Sequence, residues 1–167
     1  MSILIAYATN HGCAEKCAEI LNGKLSEKAD LCNLKKGNAP DLSKYDKVII
    51  GGSIYAGKIQ KAVKEYCANN LNELKGKKLG FFICCMSVEE PAKAQLNSSF
   101  PSELLSIAAA KEVFGGGFTF SDMNFFEKFI IKMVAKSQKR TPVDTKKDIS
   151  HLFDENINKF AQAMNNV

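Results

Sequence analysis

The chain has 167 residues, of which 46% are hydrophobic and 25% are charged, a balance typical of one soluble globular domain. This composition excludes a disordered chain, a fibrous protein and a disulfide-dependent miniprotein, and no apolar run reaches the ~18 residues that a membrane helix needs. The formal net charge of +5 is a weak sign of acidic partners such as phosphate, nucleic acid or a membrane surface. We therefore treat residues 1–167 as a single domain.

The cysteines indicate a reducing compartment rather than a disulfide framework. The opening run Met1–Tyr7 has no basic stretch before it and is shorter than a signal-peptide core, which predicts a strand and a cytoplasmic protein. The six cysteines are then mostly reduced, and their spacing contains no C-x2-C pair of the kind that zinc sites use. We therefore expect no metal site, and we expect most cysteines to lie in the core as small hydrophobic residues.

Strands and helices alternate along the chain. An apolar run over 2–7 predicts the first strand, and the apolar spacing from Cys13 to Leu25 predicts the first helix. A weak second strand follows near 29–34, and residues 47–50 run into Gly51-Gly52 as a buried strand. The later predicted elements are a helix through 59–67, a strand over 79–86, a helix from Pro101 to about Ala110, a strand over 112–120 that Gly115-Gly116-Gly117 interrupts, and a helix from Ile149 to Met164.

The alternation of five strands with helices predicts right-handed βαβ units and a parallel sheet. The strands are continuously apolar, which indicates that helices cover both faces of the sheet. One stretch exceeds what this architecture needs, because about 30 residues separate the last strand from the last helix, where connections usually take 2–6 residues. We interpret this stretch, at about 118–147, as a functional insertion.

Three loops follow predicted strands, and ligands of open parallel sheets bind beyond the carboxyl ends of the strands. The loops span 8–14, 52–57 and 85–89. The first opens a helix and matches neither the dinucleotide fingerprint nor the P-loop, but its Thr9 and Gly12 suit a phosphate at a helix N-terminus. The alternative is a plain helix cap, in which Thr9 or Asn10 bonds the first amides.

The loops resemble those of a known family. Residues Tyr7–Ala14 resemble the flavodoxin phosphate loop, aromatic-x-[ST]-x-[ST]-G-x-[ST], with His11 and Ala14 in place of two hydroxyl residues. Residues Tyr45–Gly57 are similar to the second loop of the flavodoxin-like bacterial protoporphyrinogen dehydrogenases, with its G-x-S-I-x-x-G pattern. The insertion of that group and the segment leading into its final helix resemble Phe125–Met133 and Asp144–Lys147. The similarity covers nearly the whole chain.

This resemblance implies a flavodoxin-like three-layer α/β/α fold with a five-stranded parallel sheet of order 2-1-3-4-5, and noncovalent FMN at the switch point between strands 1 and 3. It implies that the first loop holds the phosphate, largely through backbone amides. The second loop then lines one side of the isoalloxazine, with Tyr55 packed on the ring, and the third flanks the other side. Because the flavin carries the redox chemistry, we name no catalytic side chain. The implied cofactor contacts are Thr9, Asn10, His11, Gly12, Cys13, Ala14, Ser53, Ile54, Tyr55, Ala56, Gly57, Cys85, Met86, Ser87 and Val88.

The insertion carries most of the net charge. Residues 125–140 contain five basic side chains against Glu127, a net of +4 out of the chain's +5, with apolar residues at helical spacing. A basic amphipathic helix is typical of membrane surfaces and partner binding. The alternatives are a helix packed on the domain with a solvated basic face and a lid over the flavin. The predicted docking residues are Phe126, Lys128, Phe129, Lys132, Met133 and Lys136.

The resemblance also implies a function in haem biosynthesis. The chain would be an FMN-dependent oxidoreductase similar to quinone-dependent protoporphyrinogen dehydrogenase, moving electrons from a tetrapyrrole, or another small-molecule donor, to a quinone. The insertion would bring it to the inner face of the membrane, and no nucleic-acid partner is expected. Three alternatives stay open: a flavodoxin-type electron carrier with a protein partner, a quinone or other small-molecule reductase, and a regulatory protein with an empty flavin site. The basic insertion argues against the carrier, because electron-transfer flavodoxins are typically acidic.

Overall fold

A parallel sheet forms the centre of the computed structural model, which describes residues 1–85, 89–118, 149–152 and 154–167. The strands are β1 (Ile3–Ala8), β2 (Asp30–Asn33), β3 (Lys47–Tyr55), β4 (Lys58–Ile59), β5 (Lys78–Cys84), β6 (Ala110–Val113), β7 (Gly115–Phe118) and β8 (Ile149–Leu152). The strand order is β2-β1-β3-β5-β6, and every pair along this path is parallel. β4 only pairs with the end of β3, so β5 and β6 are the fourth and fifth strands of the parallel sheet. The predicted order 2-1-3-4-5 is therefore confirmed.

Helices cover both faces of the sheet, as the continuously apolar strands predict. The helices are α1 (Cys13–Asn22), α2 (Lys61–Asn69), α3 (Leu71–Leu74), α4 (Glu89–Ser99), α5 (Ser102–Leu105) and α6 (Asp154–Asn165), with a 3-10 turn at Leu42–Lys44. Buried side chains of α1 and α6 form one core cluster with the sheet, and those of α2 to α5 form the other. The result is the expected three-layer α/β/α architecture.

The core on the α1 and α6 face is built around three phenylalanine rings. Phe82 and Phe114 stack with their ring centroids 4.6 Å apart, and Phe160 of α6 meets Phe114 edge to face at 5.2 Å. All three side chains are buried, and burying a side chain of this size contributes about 1.5–3 kcal/mol. The buried Lys47 ammonium donates to the Met164 carbonyl oxygen at 2.7 Å, which ties the end of α6 to the start of β3 and complements the helix dipole.

Two predicted helices differ from the structure. The helix expected from Pro101 to about Ala110 is only the single turn α5, because the chain re-enters the sheet at Ala110 to pair with β5. The last helix begins at Asp154 rather than Ile149. Residues Ile149–Leu152 instead form β8, which pairs with β7 in an antiparallel ribbon. Four residues are too few for apolar spacing to distinguish a strand from a helix.

The three glycines of β7 let a second backbone approach closely. Gly115 pairs with Leu152 and Phe118 pairs with Ile149, so the ribbon joins the two ends of the predicted insertion. Residues 119–148 and the docking residues Phe126, Lys128, Phe129, Lys132, Met133 and Lys136 lie outside the described residues. Within the described ranges, no helix combines the length and the apolarity required to cross a bilayer.

Candidate cofactor site

The first predicted loop joins β1 to α1 at the carboxyl end of the sheet. Gly12 is the N-cap of α1 and has φ +85°, in the left-handed region that favours glycine. A Cβ built on Gly12 would meet no atom within 4 Å, so the backbone is open to close approach here. The dipole and first amides of α1 favour an anion at this point.

Thr9 and Asn10 have different roles in this loop. The Gly12 amide donates to Thr9 Oγ1 at 2.9 Å, so Thr9 closes the loop. Among the described residues no side chain makes a cap hydrogen bond to α1, so the cap alternative is wrong for Thr9. Asn10 does not cap α1, because its Oδ1 accepts a hydrogen bond from the Lys35 ammonium at 2.6 Å. Lys35 follows β2, which lies beside β1 in the sheet. The fold thus adds a cation to the predicted phosphate loop.

The second predicted loop is a β-hairpin rather than an irregular loop. β3 continues through Ser53 to Tyr55 and pairs with β4, and Ala56 and Gly57 form the two-residue turn. Both turn residues have positive φ, +50° and +78°, as the hairpin turn that matches strand twist requires. Alanine in that conformation costs roughly 1 kcal/mol. Because Ser53 and Ile54 alternate along a strand, their side chains point to opposite faces of the hairpin.

A buried polar pair lies at the base of this hairpin. The Ser53 amide donates to Gln60 Oε1 at 3.0 Å. The Ser53 hydroxyl oxygen and Gln60 Nε2 are both buried, and the described residues offer neither a hydrogen-bond partner. Leaving such a group without a partner costs about 1–3 kcal/mol. Donors and acceptors on the edge of an isoalloxazine ring would satisfy both atoms, so the residues present fit a flavin.

Two aromatic rings bring the first and second loops together. The ring centroids of His11 and Tyr55 are 6.4 Å apart with an interplanar angle of 53°. Tyr55 is half-buried, which argues against a freely exposed loop tyrosine. The fold therefore places the two predicted contacts at the junction of β1 and β3, where the strand order reverses and ligands of this architecture bind.

The third predicted loop is described only at its start. Cys85 is buried, and its amide donates to the Gly115 carbonyl oxygen at 2.8 Å, which fixes the end of β5 against β7. The other three predicted contacts of this loop, Met86, Ser87 and Val88, lie outside the described residues.

Buried titratable groups lie directly beneath the phosphate loop. The Tyr7 hydroxyl donates to Glu15 Oε1 at 3.1 Å, and burial with this bond raises the pKa of Tyr7 to about 12. Cys17 and Cys84 are also buried. A side-chain hydrogen bond with Cys13 and burial hold the pKa of the Cys17 thiol well above its usual range. These groups are therefore protonated at neutral pH.

Lys35, Gln60 and the proximity of three cysteines were not among the features predicted from sequence. Lys35 was accessible to sequence reasoning, because the order 2-1-3 places the residues after β2 beside the first loop. Gln60 gave no signal, since only the turn at Ala56-Gly57 folds it back onto Ser53. The sulfur atoms of Cys13, Cys17 and Cys84 lie within 4.8 Å of one another, a cluster that spacing along the chain could not reveal because Cys84 is remote in sequence.

Known proteins are similar to this chain in sequence and in architecture. A curated relative, protoporphyrinogen IX dehydrogenase [quinone] of Escherichia coli strain K12, is 25% identical over 170 residues, which cover 97% of this chain and 93% of that protein. A two-electron reduced flavodoxin of Megasphaera elsdenii has a TM-score of 0.53 at 16% identity, covering 66% of this chain and 84% of that chain. A short-chain flavodoxin associated with a non-canonical PDU bacterial microcompartment has a TM-score of 0.52 at 17% identity, covering 98% of this chain and 96% of that chain.

A family match agrees with this fold. The model of the flavodoxin domain matches residues 4–145, a range that includes the first two candidate loops and the described start of the third. The matched range supports FMN as the cofactor. The open backbone at the start of α1 and the buried polar pair at Ser53 and Gln60 fit such a group. From its match over most of its length and its β2-β1-β3-β5-β6 sheet, this chain belongs to the flavodoxin domain family.

Proposed function

We propose that the chain is an FMN-dependent oxidoreductase that takes electrons from protoporphyrinogen IX and passes them to a quinone. The observation that carries this proposal is the extent of the match to the E. coli relative of that name, which covers 97% of this chain. A match of 97% leaves room for few unmatched residues, so it extends into the insertion at about 118–147.

The chain's own residues bind and orient the cofactor. The amides at the start of α1, the Lys35 ammonium and the open backbone at Gly12 would hold the phosphate. Ser53 and Gln60 would hydrogen-bond the ring edge, and Tyr55 would pack against the ring. FMN, when bound, supplies two-electron transfer, and the protein supplies position, electrostatics and access. We assign no catalytic acid or base.

The basic insertion is the proposed docking element. Its Lys128, Lys132 and Lys136 would meet anionic lipid headgroups on the inner face of the membrane, at about 1 kcal/mol for each basic residue, and would place a cytoplasmic protein beside its quinone. The same lysines suit the carboxylates of the tetrapyrrole. Sedimentation with anionic and with neutral vesicles distinguishes lipid binding from substrate binding. A variant with Lys128, Lys132 and Lys136 all replaced by Gln should no longer sediment with anionic vesicles. A control variant with the exposed Lys24, Lys28 and Lys64 neutralised should still sediment with them.

A second candidate function is electron transfer to a protein partner. The short-chain flavodoxin that covers 98% of this chain favours it, because its fold matches nearly the whole chain. An electron carrier differs from the proposed enzyme in having no small-molecule substrate. It would exchange electrons with a reductase but would not oxidise a porphyrinogen.

The test is steady-state turnover. The FMN-loaded protein is incubated anaerobically with protoporphyrinogen IX and a soluble menaquinone analogue, and protoporphyrin is followed by its fluorescence. The proposal predicts quinone-dependent formation of protoporphyrin, at a rate that falls when FMN is removed and recovers when it is restored. Porphyrin formation at the same rate without the protein, or no formation with it, would exclude this activity, and rapid exchange with a flavodoxin reductase would then favour the carrier.

A further inference from the structure

Three cysteine side chains meet where the start of α1 faces the end of β5. Cys13 and Cys17 lie one turn apart on α1, and Cys84 is the last residue of β5. Their sulfur atoms all lie within 4.8 Å of one another, and the Cys17 and Cys84 Sγ atoms are 3.3 Å apart. None of the three forms a disulfide bond within the described part of the chain. We propose that this three-cysteine cluster binds one soft, thiophilic metal ion, and that this ion is Cu(I).

The donor set selects the ion. Thiolate ligands favour Cu(I), zinc and iron–sulfur clusters over harder cations. Structural zinc sites complete a tetrahedron with four protein ligands. In the described part of the chain, no fourth cysteine, histidine or carboxylate joins the cluster at the same spacing. Three sulfur ligands without a fourth group fit the low coordination number of Cu(I) better than they fit zinc.

The surroundings of the cluster exclude water from most of it and leave one side open to an ion. Cys17 is 0% exposed and Cys84 is 2% exposed, so water is excluded from two of the three sulfur atoms. Cys13 is partly exposed and gives an ion an entry path from the surface. A side-chain hydrogen bond with Cys13 raises the pKa of the Cys17 and Cys84 thiols, and burial raises it further, so the thiolates form only as the cation binds and offsets their charge. The three displaced thiol protons pass to solvent.

The chain also contains the matched control. Cys67 is fully buried in α2, on the opposite face of the sheet from α1, and belongs to the other core cluster. It is therefore a buried cysteine of the same kind outside the proposed site. If burial alone made a cysteine bind Cu(I), Cys67 would contribute as much as Cys17.

The test is an anaerobic titration of the reduced, full-length protein with Cu(I) in competition with a coloured Cu(I) chelator. The expected result is one Cu(I) per chain, with thiolate-to-copper absorbance in the near ultraviolet. Cys13→Ser and Cys84→Ala should each weaken binding at least about tenfold, and Cys67→Ala should leave it unchanged. Zn(II) in the same competition should bind more weakly than Cu(I).

Folding is checked separately, because Cys84 is buried. Cys13→Ser changes a partly exposed residue, so it tests the site even where Cys84→Ala lowers stability, and the far-ultraviolet circular dichroism and melting temperature of each variant are measured alongside. Copper binding that is unaffected by Cys13→Ser in a folded protein, or an equal loss with Cys67→Ala, would overturn the proposal. So would wild-type protein that takes no copper from the chelator.

Discussion

Lys35 lies beside the phosphate loop, and its replacement tests whether that loop holds the phosphate of FMN. The Lys35 ammonium donates to Asn10 Oδ1 at 2.6 Å and would add its charge to the anion site at α1. Lys35 is exposed, so the value for a surface ion pair applies, about 0.5–1 kcal/mol. Lys35→Ala should therefore raise the Kd for FMN about two- to fivefold.

The assay is a fluorescence titration of FMN-free protein with FMN and, in parallel, with riboflavin, which lacks the phosphate. Only the affinity for FMN should fall in Lys35→Ala. The difference from wild type should shrink from 0.15 to 1 M salt, because the screening length falls from about 8 to about 3 Å.

Lys36→Ala is the matched control, because it removes the same charge from the next exposed residue. Its side chain makes no hydrogen bond or ion pair to the loop among the described residues. An equal loss of riboflavin affinity in Lys35→Ala, or an equal loss of FMN affinity in Lys36→Ala, would refute the assignment of the phosphate to this loop.

Three further predictions concern backbone, packing and pH. Gly12→Ala places a side chain at φ +85°. It should lower the free energy of unfolding in urea by about 1–2 kcal/mol and weaken FMN binding. An unchanged free energy of unfolding would contradict the left-handed conformation. Gly51→Ala places a Cβ 2.1 Å from the buried Phe82 ring and should lower the free energy of unfolding by about 1–3 kcal/mol. A melting temperature equal to that of the wild type would disprove this. The free energy of unfolding should fall as the pH rises from about 9 to 12, because burial raises the pKa of Tyr7 and Cys67 to about 12 and the unfolded chain therefore loses these protons first. Unfolding curves that coincide across this range would oppose that reasoning.

The parts of the fold that apolar pattern alone determines were predictable. Helix α1 follows from the repeat of Ala14, Cys17, Ala18 and Leu21, all of which are buried against the sheet. The long strand β5 follows from an unbroken apolar run that both helical layers cover. In these cases each residue's local preference agrees with its place in the core.

The hairpin and the ribbon were not predictable, because tertiary pairing decides them. Ala56 adopts positive φ without the Asn-Gly signal that usually marks such a turn, so the strand appeared to end before Ser53. β8 exists because β7 pairs with it, and four residues are too few to show a period of their own. The candidate site divides in the same way. The loop at 8–14 follows from the end of β1, whereas the hairpin that replaces the predicted loop at 52–57, and Gln60 with it, depend on contacts that only the folded chain makes.

The proposed electron transfer from a porphyrinogen through bound FMN is tested most directly by its two half-reactions. FMN-loaded protein is mixed anaerobically with protoporphyrinogen IX in a stopped-flow instrument, and the visible absorbance of the flavin is recorded before a quinone analogue is added. The expected result is bleaching of the flavin absorbance with formation of protoporphyrin, followed by full return of that absorbance on addition of the quinone. Flavin absorbance that stays unchanged by the porphyrinogen, in protein that a chemical reductant bleaches, would contradict it.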